Sequence, residues 1–250
     1  MAYRYDPDLE FLEQCASKDL NDLVYCITHD KDGSARITEE LTATAVYKRH
    51  HPDHHQYWEL IAAEVQCFGA NSFATVFRGG KGVLYKEVLM DVCEKMKVNF
   101  NKDSSVEVIE QNLLMKILKD SIEKMSATEV RQLAESMGVK NLNTITPEAL
   151  VGGFQTIFRM GGFKSYQLTL IVVNAVMKAL MGRGLTLAGN AALTRVAAAM
   201  TGPIGWVITG LWTAVDLAGA AYRVTIPAVI QIAFLRQKLK YADLADEIQF

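Results

Sequence analysis

Four of the five histidines fall in the run His50-His51-Pro52-Asp53-His54-His55. Neutral imidazole is a ligand for zinc and nickel, so His51, His54 and His55 are candidate metal ligands near the start of a helix that opens after Asp53. A tetrahedral site needs further ligands. No C-x-x-C or H-E-x-x-H supplies them, and the competing reading is a solvated helix start with Asp53 as cap and Gln56 three residues on. A second constellation is Thr28-His29-Asp30-Lys31-Asp32-Gly33, followed by Glu39. It approaches the calcium-loop pattern D-x-[DN]-x-[DN]-G-x5-E, with Asp30, Asp32 and Glu39 as ligands. Thr28 stands where the first carboxylate belongs, and Ala35 where a larger apolar residue is usual. Losing that carboxylate weakens calcium binding. The competing reading is a helix–loop–helix whose tight turn is made at Gly33.

The third constellation is Arg78-Gly79-Gly80-Lys81-Gly82, ahead of an apolar helical pattern. Backbone N–H groups and two cations there could hold an anion. It is not a Walker A loop, because Gly82 is followed by Val83 rather than by a metal-binding hydroxyl. The competing reading is a turn between helices. No nucleophile elbow and no paired-acid motif is present, so no catalytic residue and no cofactor is assigned. Cys15, Cys26, Cys67 and Cys93 have no C-x-x-C pair or regular spacing, which reads as reduced thiols rather than a disulfide framework.

The elements that would position these residues read as helices. Leu9, Leu12, Cys15, Leu20, Leu23, Val24 and Ile27 recur at helical spacing, and the Asp30–Gly33 run breaks the pattern. Thr38-Glu39-Glu40-Leu41 predicts a short helix. Trp58, Ile61, Ala62, Val65 and Phe68 form one apolar face of the next. The stretch 83–96 is also helical in pattern. Ser104 with Glu107 and Ser126 with Glu129 predict capping boxes, and Gly138 predicts the end of the helix opened by the second. Thr146-Pro147-Glu148 predicts a further start, with proline at the first helical position. Two Gly-Gly-Phe tripeptides follow, at 152–154 and 161–163. No strand alternation is sustained. The expected fold is all-α, a multi-helix bundle with a Gly/Ala-rich apolar C-terminal region. The expected organisation is an N-terminal helix–loop–helix over 1–45, a helical body over 46–150 and the apolar region over 151–250.

The 250 residues are 50% hydrophobic and 22% charged, with a net charge of −2. That excludes a disordered chain and argues against a nucleic-acid binder. The polar start of the chain predicts no secretory signal peptide. Charge is unevenly spread: residues 1–150 sum to −7, 151–235 to +5 and 236–250 to zero. The middle block, with six basic residues and one acid, must be buried in protein, in an oligomer or in lipid. Its longest uncharged run is 196–215, between Arg195 and Asp216. Twenty residues of helix would match a bilayer core of about 30 Å. Gly202, Pro203, Gly205 and Gly210 interrupt it, which favours buried soluble helices over a spanning one. Either reading buries Trp206 and Trp212. The next uncharged runs, 165–177 and 224–235, are too short to span.

Several blocks resemble known patterns. The opening Tyr3-Arg4-Tyr5-Asp6-Pro7-Asp8-Leu9-Glu10-Phe11-Leu12, with Asp30–Gly33 and Arg36–Leu41, resembles a short N-terminal domain of unknown function. The series Tyr57-Trp58, Glu64–Gly69, Asn71-Ser72, Arg78–Val83, Tyr85–Glu87, Asp91–Lys97 and Ala221–Pro227 completes the resemblance to the YaaW-like family of bacterial proteins. That family often carries the label of the ubiquinol–cytochrome c chaperone domain. The resemblance implies a helical protein-binding module, in the cytoplasm or peripheral to the inner membrane, and implies no catalytic residue.

The sequence reading is therefore a non-enzymatic interaction protein that binds a protein partner or forms a homo-oligomer through 151–235. One alternative is a protein that associates with or perturbs a membrane surface once its apolar helices are unmasked. A second is a metal-dependent enzyme built on His50–His55. Nucleic acid is not an expected partner.

Overall fold

The computed structural model describes residues 2–69, 82–136, 146–185 and 221–246, with backbone alone from 242. Its regular structure is helical, and among the described residues no strand occurs beyond an isolated bridge between His29 and Ala35. The helices are α1 (Ser17–Thr28), α2 (Ala45–His50), α3 (Trp58–Gly69), α4 (Tyr85–Lys95), α5 (Val106–Ile122), α6 (Ala127–Ser136), α7 (Pro147–Met160), α8 (Gly162–Met181) and α9 (Tyr222–Asp246). Short 3-10 turns at Glu10–Gln14, Leu41–Ala43 and His54–Tyr57 join them. The run 196–215, residues 78–81 and Gly138 lie outside the described residues.

The two short uncharged runs are the centre of the fold. All twelve residues from Val224 to Leu235 in α9 are buried, so no position in that run can carry a charge without losing its hydration. A helix that is apolar all round must be covered on every side. Here α1, α3, α4, α5 and α8 all pack on α9, and α8 makes the most extensive contact. In α8, Leu168–Val173, Ala175–Met177, Leu180 and Met181 are buried. Phe234 of α9 stacks on Tyr166 of α8 with ring centroids 6.1 Å apart. The apolar cores of α8 and α9 are thus covered by the chain's own helices. Among the described residues no helix is long and apolar enough to cross a membrane.

Local signals placed several helix ends. The Ser126 hydroxyl and N–H both donate to the Glu129 carboxylate (2.8 and 2.7 Å), and the Glu129 N–H donates back to the hydroxyl at 3.3 Å. Thr146 Oγ1 accepts from the Ala149 N–H at 3.2 Å, with Pro147 opening α7 as its missing N–H allows. The second Gly-Gly-Phe makes the α7–α8 corner, where Gly161 (φ 68°) and Gly162 (φ 74°) adopt a backbone that side chains disfavour. The Gly161 N–H closes α7 by donating to the Ile157 carbonyl at 3.0 Å.

Other expectations shift. The cap of α5 is Ser105, not Ser104, and its side chain makes no capping bond. The pattern from Leu9 to Ile27 divides into a 3-10 turn and α1, because Cys15 and Ala16 are extended. Residues Thr38–Leu41 lead into a 3-10 turn rather than an α-helix; α2 begins later, with Thr44 as its cap accepting from the Tyr47 N–H at 3.1 Å. Asp53 caps nothing, because its carboxylate accepts from the Ser17 hydroxyl of α1.

Candidate functional site

The histidine run does not converge. His51 and His55 are exposed, while His54 is 2% exposed. Both His54 ring nitrogens are engaged, Nδ1 by the Tyr57 hydroxyl and Nε2 by Asn21 Oδ1 at 2.6 Å. Since the Asn21 oxygen can only accept, the ring carries its proton on Nε2 and Nδ1 accepts from Tyr57. Burial, and secondarily His51, lower the His54 pKa to about 4. The ring is a neutral tie between α1 and the 54–57 turn.

The calcium-like residues are likewise committed locally. Asp30 pairs with Arg36 Nη1 at 2.5 Å. Asp32 accepts from the Ser34 N–H (3.0 Å) and hydroxyl (2.6 Å). Glu39 accepts from the Thr42 N–H at 2.9 Å and from its hydroxyl. The Thr28 hydroxyl donates back to the Val24 carbonyl at 2.7 Å. Among the described residues no group of three or more His, Cys, Asp or Glu is placed to hold a metal ion. The loop is instead a closed turn. The Arg36 N–H donates to the Thr28 carbonyl at 2.8 Å, and the Asp30 N–H to the Ser34 carbonyl at 2.9 Å.

That turn forms one wall of a cavity of about 650 Å³, lined by Asp30, Lys31, Asp32, Arg36, Leu180, Met181 and Arg223. The end of α8 supplies the apolar floor, Leu180 and Met181, and the first turn of α9 supplies Arg223. Three basic side chains meet two carboxylates, and both carboxylates are occupied as described. The Arg36 side chain is 7% exposed, and its buried Nε has no hydrogen-bond partner. Asp30 and Asp32 are legible as candidate ligands in the sequence, whereas Arg36, Leu180, Met181 and Arg223 are not. No spacing rule links residues 36 and 223.

Of the glycine-rich loop, Gly82 alone is described. It is buried, and a Cβ there would lie 2.4 Å from the Gln66 carbonyl carbon, so only glycine permits this approach. The Val83 N–H donates to the Gln66 carbonyl at 3.2 Å. Gln66 in turn holds the N-terminal strand-like segment. It donates to the Arg4 carbonyl (2.8 Å) and to Asp6 Oδ2 (3.2 Å), and its Oε1 accepts from the Arg4 N–H at 3.0 Å. Asp6 Oδ2 also accepts from the Tyr85 N–H at 2.7 Å, which closes the start of α4.

A buried ionic network continues from Tyr85. Its hydroxyl donates to Glu110 Oε1 at 2.7 Å, and Glu110 Oε2 accepts from Arg236 Nε at 3.0 Å. Arg236 Nη2 donates to the Asp8 carbonyl at 2.7 Å, and the guanidinium lies 4.3 Å from the Phe11 ring centroid. Burial raises the Glu110 pKa against the pull of Arg236. Lys238–Asp19 (2.6 Å) ties α1 to α9, and Arg183–Asp22 (2.8 Å) ties α1 to the segment after α8. Glu64 is a second buried carboxyl. Burial pushes it up to about 7, although it accepts from the Glu40 N–H at 3.2 Å. Burial also pushes Cys15 and Cys93 up to about 12, which keeps them as thiols.

The result is an all-helical body whose N-terminal segment is tied to the central helix α9 through the Arg236 contact with the Asp8 carbonyl. The ubiquinol-cytochrome C chaperone family model matches residues 53–230, and a domain of unknown function (DUF3944) matches residues 3–37. The chain belongs to the UPF0174 family. It is 53% identical over 243 residues to a UPF0174 protein of Helicobacter pylori strain J99, covering 97% of this chain and 96% of that one. A second UPF0174 protein of that strain is 44% identical over 208 residues, covering 82% and 99%. The UPF0174 protein YaaW of Escherichia coli strain K12 is 33% identical over 245 residues, covering 94% and 95%. No solved structure matches the chain.

Proposed function

We propose that this protein is a non-enzymatic, chaperone-like binder of one protein partner, and that part of its contact surface lies on α7 within 151–235. The observation that carries the reading is the match of the ubiquinol-cytochrome C chaperone model to residues 53–230. The shape of α7 supports it. Leu150, Phe154 and Phe158 are buried, while Gly152, Gly153 and Thr156 are exposed and Met160 is 72% exposed. Nothing lies within 4 Å of a Cβ built on Gly152 or Gly153. A bare backbone beside an exposed, adaptable methionine suits close contact with another polypeptide. The interior residues of α8 and α9 are used within the fold, so this reading does not draw on them.

A photo-crosslinking residue at position 160 in the full chain, expressed at its natural level, tests the reading. One crosslinked polypeptide of fixed mass is expected there, and none from the same residue placed at Lys102. Crosslinks at neither position, or equal and heterogeneous crosslinks at both, would overturn it.

A further inference from the structure

We propose that the cavity between the 30–36 turn, the end of α8 and the start of α9 binds a small organic oxyanion: a carboxylate or phosphate ester carried on a short apolar body. This assignment is independent of the protein-partner reading, which concerns α7.

The size comes first. About 650 Å³ lies in the range of small-molecule sites. The charge comes next. Lys31, Arg36 and Arg223 line the cavity with Asp30 and Asp32, and the two carboxylates are already satisfied by Arg36 Nη1 and Ser34. With Asp30 engaged by Arg36 and Asp32 by Ser34, the exposed Lys31 and the Nε edge of Arg36 are the groups that would meet an anion.

The chemistry of Arg36 is the specific feature. Asp30 takes Nη1, which leaves the opposite Nε–Nη2 edge of the guanidinium. That edge is a planar two-donor fork that matches the paired oxygens of a carboxylate or phosphate. Arg36 Nε is buried without an acceptor, and a buried donor left unmade is costly. Burial lowers the Arg36 pKa against the pull of Asp30, and an oxyanion at the Nε edge would offset that burial.

The position is held firmly. The Arg36 N–H is fixed to the Thr28 carbonyl, and the turn is closed by the His29–Ala35 bridge. A donor on a rigid turn loses little freedom when it binds. Leu180 and Met181 then provide apolar contact for the ligand's body rather than its head.

Isothermal titration of the full chain with octanoate, octyl phosphate, inorganic phosphate and 1-octanol tests the proposal. Saturable binding of octanoate or octyl phosphate at one equivalent is expected, with inorganic phosphate and 1-octanol each weaker by about tenfold or more. Whichever amphiphile binds tighter identifies the headgroup. Arg36→Lys keeps the charge but removes the fork, and should weaken binding by about tenfold. Lys31 is exposed, so Lys31→Gln should fold and also weaken binding, which keeps the test open if Arg36→Lys unfolds. Absence of saturable binding by both amphiphiles, equal affinity for 1-octanol, or unchanged affinity in folded Lys31→Gln and Arg36→Lys would overturn the proposal.

Discussion

Two buried groups titrate in opposite senses over the same pH window, and separating them tests the packing around α3. His54 is held neutral with its pKa lowered to about 4 from an ordinary 6.5. The unfolded chain therefore takes up the proton first as pH falls. Stability contributed by the neutral ring is complete above pH 6.5 and is lost as pH falls toward 4. Glu64 is raised from 4.5 to about 7, so its contribution is complete below pH 4.5 and is lost as pH rises toward 7. One pH unit of linkage is worth about 1.4 kcal/mol, so each of these buried groups contributes at most about 3 kcal/mol across its window. Between 4.5 and 6.5 the two slopes oppose, and they nearly cancel in the wild type. Urea unfolding across that range should show this by difference. Relative to wild type, His54→Gln should lose stability with rising pH, Glu64→Gln should gain it, and the double variant should run level. Single-variant curves parallel to the wild type would refute the placement of both groups.

Three further outcomes follow from the packing. Phe234→Ala removes a fully buried ring stacked on Tyr166, and should cost about 3–5 kcal/mol in urea unfolding. Arg236→Ala strands the buried Glu110 carboxylate and should cost about 3–5 kcal/mol at neutral pH; pairing it with Glu110→Leu should recover part of that loss, and additive losses would contradict the pairing. Ser126→Ala should cost about 1 kcal/mol through the lost cap, read as a lower thermal midpoint.

What could be read in the sequence was what is local. The Ser126–Glu129 box and the Thr146-Pro147 start satisfy backbone donors within one turn, so the residues alone place them. The uncharged runs 165–177 and 224–235 announced burial, and they became the central helix pair because a helix apolar on all sides has no other stable position. Ser104 failed as a cap because its neighbour Ser105 is equally suited and one residue of register decides between them. Asp53 failed because Ser17, distant in the chain, claims its carboxylate. The calcium-like run was visible as a turn, but its carboxylates are consumed by Arg36, Ser34 and Thr42 rather than turned toward one point. The cavity joins residue 36 to residue 223, and the Glu110–Arg236 pair spans 126 positions. Glu110 did leave a trace, since it stands at helical spacing from Leu113, Leu114 and Ile117 on the buried side of α5.

The proposed role of the protein is to hold another polypeptide. The most direct measurement is the mass, by light scattering, of full-length protein isolated at its natural level without crosslinking. A species well above the 27.7 kDa of one chain is expected, with one other polypeptide at a fixed ratio, that reverts toward the single chain in Met160→Asp while thermal stability is unchanged. A lone 27.7 kDa species with no second polypeptide would contradict that role.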